Sequence, residues 1–227
     1  MGTPVFTNLE GHVPILRHEH VAVLYRSGLA TYRLVPFIAE GLENGDLCQV
    51  VAPTGFQAEL LKQLRTQVGD VNRYVQSGLL RLHPGLGDFR EMRKLSKQVY
   101  AAAEDARRPG LRWLEETSWP PFVGLSMPQF FEFHAILNYQ VKVYPGVVMC
   151  QFALDKIEIH HLFSAIAVHR HLLIDDTLIR DNPFYMPPEK YIPASLEDRE
   201  HDLAQLFREV GFDVDQLLAT IVGYGRL

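Results

Sequence analysis

This chain of 227 residues has only two cysteines, Cys48 and Cys150, and neither belongs to a CxxC pair. Each lies inside a short apolar run, so a disulfide framework is excluded and both thiols read as reduced and buried. No stretch approaches the ~18 consecutive apolar residues of a membrane span, and the polar start, with a glycine and a proline, makes no signal-peptide core. The expectation is a cytoplasmic protein with no membrane partner. An excess of one charge is also missing: 22 Lys and Arg face 27 Asp and Glu, a net charge of −5 scattered along the chain. Without a basic stripe there is no electrostatic footprint for direct contact with nucleic acid. No internal repeat or low-complexity tract occurs.

The usual catalytic signatures are absent too. The loop after the first apolar run reads Tyr25-Arg26-Ser27-Gly28-Leu29-Ala30-Thr31 and contains neither GxxxxGK(S/T) nor GxGxxG. One glycine cannot build the ring of backbone N–H groups that wraps a polyphosphate, and no lysine follows to reach its end. There is no GxSxG elbow, no HExxH helix and no accessible cysteine. No enzyme activity is expected, and no cofactor is named by any motif.

What the chain does have is 47% apolar and 22% charged residues, enough for one sizeable core. From residue 20 onward short apolar runs alternate with longer helical patterns, the sign of a parallel sheet flanked by helices. The spacing predicts strands over His20–Tyr25, Leu47–Ala52, Leu79–Leu82, Leu111–Glu115, Val147–Leu154 and Leu172–Ile179. It predicts helices over Ala30–Leu42, Phe56–Val68, Phe89–Arg107, Met127–Val141 and Ile157–Val168. The expected fold is three-layer α/β with a mainly parallel sheet, helices on both faces and a helical tail. Residues 1–193 form the expected main domain, and 194–227 the appendage. In that tail Ser195-Leu196-Glu197-Asp198 resembles a helix start, Phe212–Ile221 is a candidate second helix, and packing or swapping of the tail offers a route to a homo-oligomer.

Near the end of the main domain runs Arg180-Asp181-Asn182-Pro183-Phe184-Tyr185-Met186-Pro187-Pro188. Its three prolines forbid helix and central strand, so its shape must come from docking, with Phe184 and Tyr185 as anchors. Together with His20-Val21-Ala22-Val23-Leu24-Tyr25, Cys150-Gln151-Phe152 and the interval from His169 to Asn182, this segment resembles the MEDS domain, the methanogen and methylotroph sensory domain. The resemblance covers roughly residues 12 to 192. It implies a RecA- or KaiC-like core with a degenerate nucleotide loop, and a sensory role in transcription regulation. Relatives join this domain to a helix-turn-helix, phosphorelay or kinase module. None stands within these residues, so signal relay is expected through a regulatory protein partner.

The resemblance and the strand-end crevice of open parallel sheets together nominate a small-molecule ligand site. Its candidates are His20, Tyr25, Ser27, Thr31, Arg112, Glu116, Trp119, His169, Asn182, Phe184 and Tyr185, holding an apolar or weakly polar ligand under the proline-rich strap. The sequence departs from the family pattern at His134, where relatives carry a glutamate. Two alternatives stay open. One is a nucleotide-binding protein of ATPase type. The other is a metal or haem protein, since ten histidines occur and His18 with His20, and His169 with His171, alternate as ligands on extended chain would.

Overall fold

The computed structural model describes residues 5–9, 11–26, 34–174, 177–209 and 211. Its strands are β1 (Val5–Leu9), β2 (Val13–Leu16), β3 (His20–Tyr25), β4 (Leu47–Val51), β5 (Leu80–His83), β6 (Leu111–Glu116), β7 (Gly146–Ala153), β8 (His171–Ile174) and β9 (Thr177–Ile179). The helices are α1 (Val35–Asn44), α2 (Thr54–Val68), α3 (Val71–Gln76), α4 (Phe89–Asp105), α5 (Pro120–Val123), α6 (Met127–Gln140), α7 (Ile159–Val168), α8 (Pro188–Tyr191) and α9 (Leu196–Glu209).

Strands β4 and β6 are buried along their whole length and β3 and β7 to all but the last residue, as continuous apolar runs require when helices cover both faces of a sheet. They form the centre of a seven-stranded sheet in the order β5-β4-β6-β7-β3-β8-β9. Every pairing from β5 to β8 is parallel. Only β9 runs antiparallel, folded back on β8. The mainly parallel α/β architecture with helices on both faces is thus the observed one. The predicted single strand Leu172–Ile179 is instead this edge hairpin, because the sequence pair Asp175-Asp176 interrupts the apolar run.

Side chains alternate across the sheet, and two cores result. Val21 and Val23 of β3 join one core with α1, α2 and α3, whereas Ala22 and Leu24 join the other with α4, α6, α7 and α9. A second small sheet, the antiparallel hairpin β1–β2, closes the first core through Leu9, Val13 and Ile15. Helix ends follow local chemistry. Asp88 caps α4 by accepting from the backbone N–H of Arg90 (2.7 Å) and Glu91 (3.0 Å), and Gly45 ends α1 at φ 81°. Ser195 caps α9, accepting from Asp198 N–H at 3.1 Å, as its sequence anticipates. The candidate helix Phe212–Ile221 lies outside the described residues.

Candidate functional site

Loops leaving β3 and β4 lead to helices on one face, and those leaving β6 and β7 to helices on the other. Such divergence opens a crevice at the carboxyl ends of the strands. On the α6 and α7 side of those strand ends, rather than at the divergence itself, the structure has a cavity of about 270 Å³ between the ends of β6 and β7, α5 and the first turn of α7. Phe122, Met127, Phe152 and Ile157 give it apolar walls, and its polar groups are Glu116, Thr117, Ser118, Lys156, Glu158 and His161. Glu116 is 8% exposed and accepts from the Ser118 hydroxyl at 2.6 Å. Burial holds its carboxyl above the usual glutamate range although Ser118 and Lys156 pull it down. Tyr25 stands close by: its carbonyl accepts from Leu154 N–H at 2.7 Å, and burial followed by the Glu116 charge raises its phenol. Ser27 and Thr31 lie outside the described residues.

A second assembly lies deeper, on the α6 and α7 side of the sheet. Register places Ala22, Cys150 and Glu115 in one row across β3, β7 and β6, with His20, Val148 and Trp113 in the next. Helix α6 lowers His134 onto these rows, and His169 arrives from the end of α7. His20, His134, Cys150 and His169 are all at most 1% exposed, and their nearest donor atoms lie within 4.8 Å of one another. His20 Nε2 is 3.3 Å from His134 Nδ1 and 3.5 Å from Cys150 Sγ, which is 3.6 Å from His134 Nδ1. Around them, Asn138 Oδ1 faces His20 Nδ1 at 3.1 Å, the Ala165 carbonyl faces His169 Nδ1 at 2.7 Å, and Glu115 Oε1 faces His134 Nε2 at 3.6 Å. Glu115 is itself fixed by the indole N–H groups of Trp113 and Trp119, each at 3.0 Å. Burial, then neighbouring histidines, pushes His20 and His169 well below the usual histidine range, which favours the neutral rings; burial raises the Cys150 thiol.

The other expected residues divide between these places and elsewhere. Trp119 is a core residue, edge-on to Phe130 at 5.6 Å, and Gly85 leaves room for its indole where any Cβ would collide. Arg112 points to the opposite face, where Nε meets Asp46 at 2.8 Å and Nη1 meets the Phe37 carbonyl at 2.7 Å and Glu40 at 3.1 Å. His18 Nδ1 donates to the Val141 carbonyl at 2.8 Å, and His171 shares the face of Val21, so neither joins His20 and His169.

The strap docks at the far end of α7. Asn182 Nδ2 donates to the carbonyls of Ile166 (2.8 Å) and His169 (3.0 Å), its Oδ1 accepts from Phe184 N–H, and Met186 N–H reaches Ala167 at 2.8 Å. Phe184 stacks on Phe207 of α9 at 4.0 Å, and Tyr185 is half-buried. The crevice instead opens at residues 157–161, so the strap braces the histidine cluster rather than covering the strand-end crevice as the sequence reading had it.

The model of the MEthanogen/methylotroph, DcmR Sensory domain, MEDS, matches residues 19–170, more than half of the chain. The chain belongs to the MEDS family. It is also 25% identical over 158 residues to the transcriptional repressor DcmR of Methylorubrum extorquens (strain DSM 6343 / CIP 106787 / DM4), a match covering 68% of this chain and 59% of that relative. The MEDS assignment makes this a sensory domain, and the similarity to a repressor fits a regulatory role. Among the described residues no helix is long and apolar enough to cross a membrane.

Within this MEDS domain, sequence reasoning overlooked His134 and Cys150 as partners of His20 and His169. One signal was present: His134 and Asn138 lie one turn apart on a helix face otherwise carrying Phe130, Phe133 and Leu137. A polar pair on an apolar face must meet partners in the core, and here it does.

Proposed function

We propose that this MEDS domain binds a small molecule with an apolar body and a weakly polar end in the crevice between β6, β7 and α7, and relays its presence through contact with a regulatory protein. The observation that carries the reading is the composition of the crevice. Phe122, Met127, Phe152 and Ile157 line the space for a ligand body, while Glu116, whose carboxyl burial shifts upward, offers a polar contact. Its volume of about 270 Å³ lies just below the range of drug-sized sites, about 300–1,000 Å³, which suits a short-chain compound.

Relay would run along α7. Its first turn borders the crevice at His161, just after Ile157, its last turn holds the strap through Ile166 and Ala167, and Phe163 lies against Phe207 of α9 at 5.2 Å. A ligand favouring one position of α7 shifts the population of strap and tail surfaces that a partner, or a second copy, would read. The parallel sheet with β3 near its centre suits the RecA-like ancestry implied by the resemblance, and the loop after β3 lacks the glycines for phosphate.

The test is an NMR titration of the full chain with short-chain alcohols and carboxylic acids, the parent alkanes serving as controls. Saturable shifts at Met127 and Ile157 are expected, lost in Met127→Trp, whose indole fills the crevice from a partly exposed position. Shifts that persist in this variant, or a panel that produces none, would overturn the assignment.

A further inference from the structure

The buried cluster of His20, His134, Cys150 and His169 poses a hydrogen-bond accounting problem. Asn138 Nδ2 donates to the carbonyls of His134 (3.0 Å), Ala135 (3.3 Å) and Val168 (2.8 Å), so its Oδ1 is the atom facing His20. An acceptor there requires the His20 proton on Nδ1, which leaves Nε2 a bare lone pair. The Ala165 carbonyl imposes the same tautomer on His169, whose Nε2 is buried with no hydrogen-bond partner. Two lone pairs therefore point inward.

A neutral His134 cannot satisfy both. With its proton on Nδ1 it donates to His20 Nε2, but Nε2 then presents a lone pair to the Glu115 carboxylate at 3.6 Å. With the proton on Nε2, toward Glu115, a third bare nitrogen joins the cluster, and the only proton left inside is the weakly donating thiol of Cys150. In either neutral form acceptors outnumber donors in a volume closed to water. Buried polar groups are normally satisfied, and a surplus of converging lone pairs marks a place for a cation.

The spacing fits one. In a tetrahedron with zinc–nitrogen bonds of about 2.0–2.1 Å and a zinc–sulfur bond of about 2.3 Å, nitrogen pairs sit about 3.3 Å apart and nitrogen–sulfur pairs about 3.6 Å apart. The observed separations among His20 Nε2, His134 Nδ1 and Cys150 Sγ are 3.3, 3.5 and 3.6 Å, with His169 Nε2 as the fourth donor. Each histidine has its remote nitrogen opposite an oxygen from Asn138, Glu115 or Ala165, the arrangement that orients metal-binding imidazoles.

We propose that His20, His134, Cys150 and His169 form a tetrahedral site for a divalent, borderline-soft transition metal of the zinc class. On binding, the metal–sulfur bond replaces the Cys150 S–H bond and that proton leaves to solvent. The two positive charges of the ion are then met by the thiolate and by the Glu115 carboxylate behind His134, so the buried assembly is neutral. The mixture of three imidazoles and one thiolate suits zinc or cobalt and disfavours magnesium or calcium, which take oxygen ligands. The site sits 5.5 Å, ring to ring, from Phe152 of the crevice through His169, and it does not depend on what the crevice binds.

The experiment expresses the full chain in medium supplemented with cobalt, and separately with zinc, so that the ion enters as the core forms. Metal content and the absorption spectrum of the purified protein are then measured. One equivalent of metal is expected, with a thiolate-to-cobalt charge-transfer band in the near ultraviolet and tetrahedral cobalt bands in the visible. Cys150→Ala, which leaves a small apolar residue in the strand, should lose the charge-transfer band. Glu115→Gln should keep the band and release metal to a chelator about 10- to 100-fold more readily. Wild-type protein without stoichiometric metal, or a charge-transfer band surviving in Cys150→Ala, would overturn the site. Neither readout involves a small organic ligand, so its failure is distinct from failure of the crevice reading. Circular dichroism of the variants confirms that the fold persists.

Discussion

Two buried polar clusters sit on opposite faces of the same sheet, and they are finished to different degrees. On the α1 side Arg112 is closed on itself. Its guanidinium meets Asp46, Glu40 and the Phe37 carbonyl, its plane lies between Phe6 and Phe37 at 4.9 and 5.0 Å, and Thr7 donates to Glu40. Opposite charges are paired, and the hairpin β1–β2 is held to α1. On the α6 side the histidines and Cys150 direct lone pairs at one another, and their protons go outward to Asn138 and Ala165. A polar cluster built for stability consumes its own bonds, whereas one built to hold something leaves acceptors facing inward. Composition alone does not separate the two, since Arg112 and Asp46, like the three histidines and Cys150, are ionisable side chains at near-zero exposure.

The sharpest way to break this comparison is Arg112→Met. Removing one partner of a buried ion pair leaves Asp46 desolvated and unpaired, at a cost of about 3–5 kcal/mol. Urea denaturation should show that loss, with hydrogen exchange rising first in β1 and β2. A variant as stable as the wild type would mean the cluster is solvated and not a clasp. The next effect in size comes from the brace of the other cluster. Asn182→Ala strands the Ile166 and His169 carbonyls in an interior where each such bond contributes about 1 kcal/mol, so a loss of about 2 kcal/mol is expected. Faster exchange confined to residues 182–192, without change in β4, would show that the strap secures this end of α7. A uniform change across the sheet would contradict it.

Much of the fold was legible. His20–Tyr25 is the same strand by pattern and by structure, β4 and β6 differ from their predicted bounds by one residue at the C-terminal end and β7 by one at each end, because unbroken apolar runs between turn residues leave a buried strand few other options. The hairpin β1–β2 was not legible: its runs are short, and Pro14 within the second reads as a break until an edge position explains it. The three prolines of the strap announced an irregular segment but not its surface, since docking depends on which carbonyls α7 leaves free. The histidine cluster was hardest. His20 and Cys150 lie 130 residues apart and His20 and His134 lie 114 apart, so no local spacing joins them. Only the parallel register, which puts Cys150 beside Ala22 and Glu115, brings them together.

The smallest effect concerns the crevice, and its sign can be worked out. Burial raises the folded-state pKa of Glu116 above its unfolded value of about 4.3, outweighing the Ser118 bonds and the Lys156 charge, while Glu115 adds to the rise. A carboxyl with a raised folded value favours the folded state fully while both states are protonated, and that advantage is lost as pH climbs through the raised value. Glu116→Gln keeps the uncharged form at every pH. The difference in melting temperature between variant and wild type should therefore be smallest near pH ~4 and grow in favour of the variant toward pH ~8, levelling once Glu116 is ionised in the folded state. A difference that stays flat, or that grows against the variant, would mean that water or Lys156 fully supports the carboxylate. The crevice would then carry a charge at neutral pH, and its preferred ligands would be cationic rather than apolar with a weakly polar end.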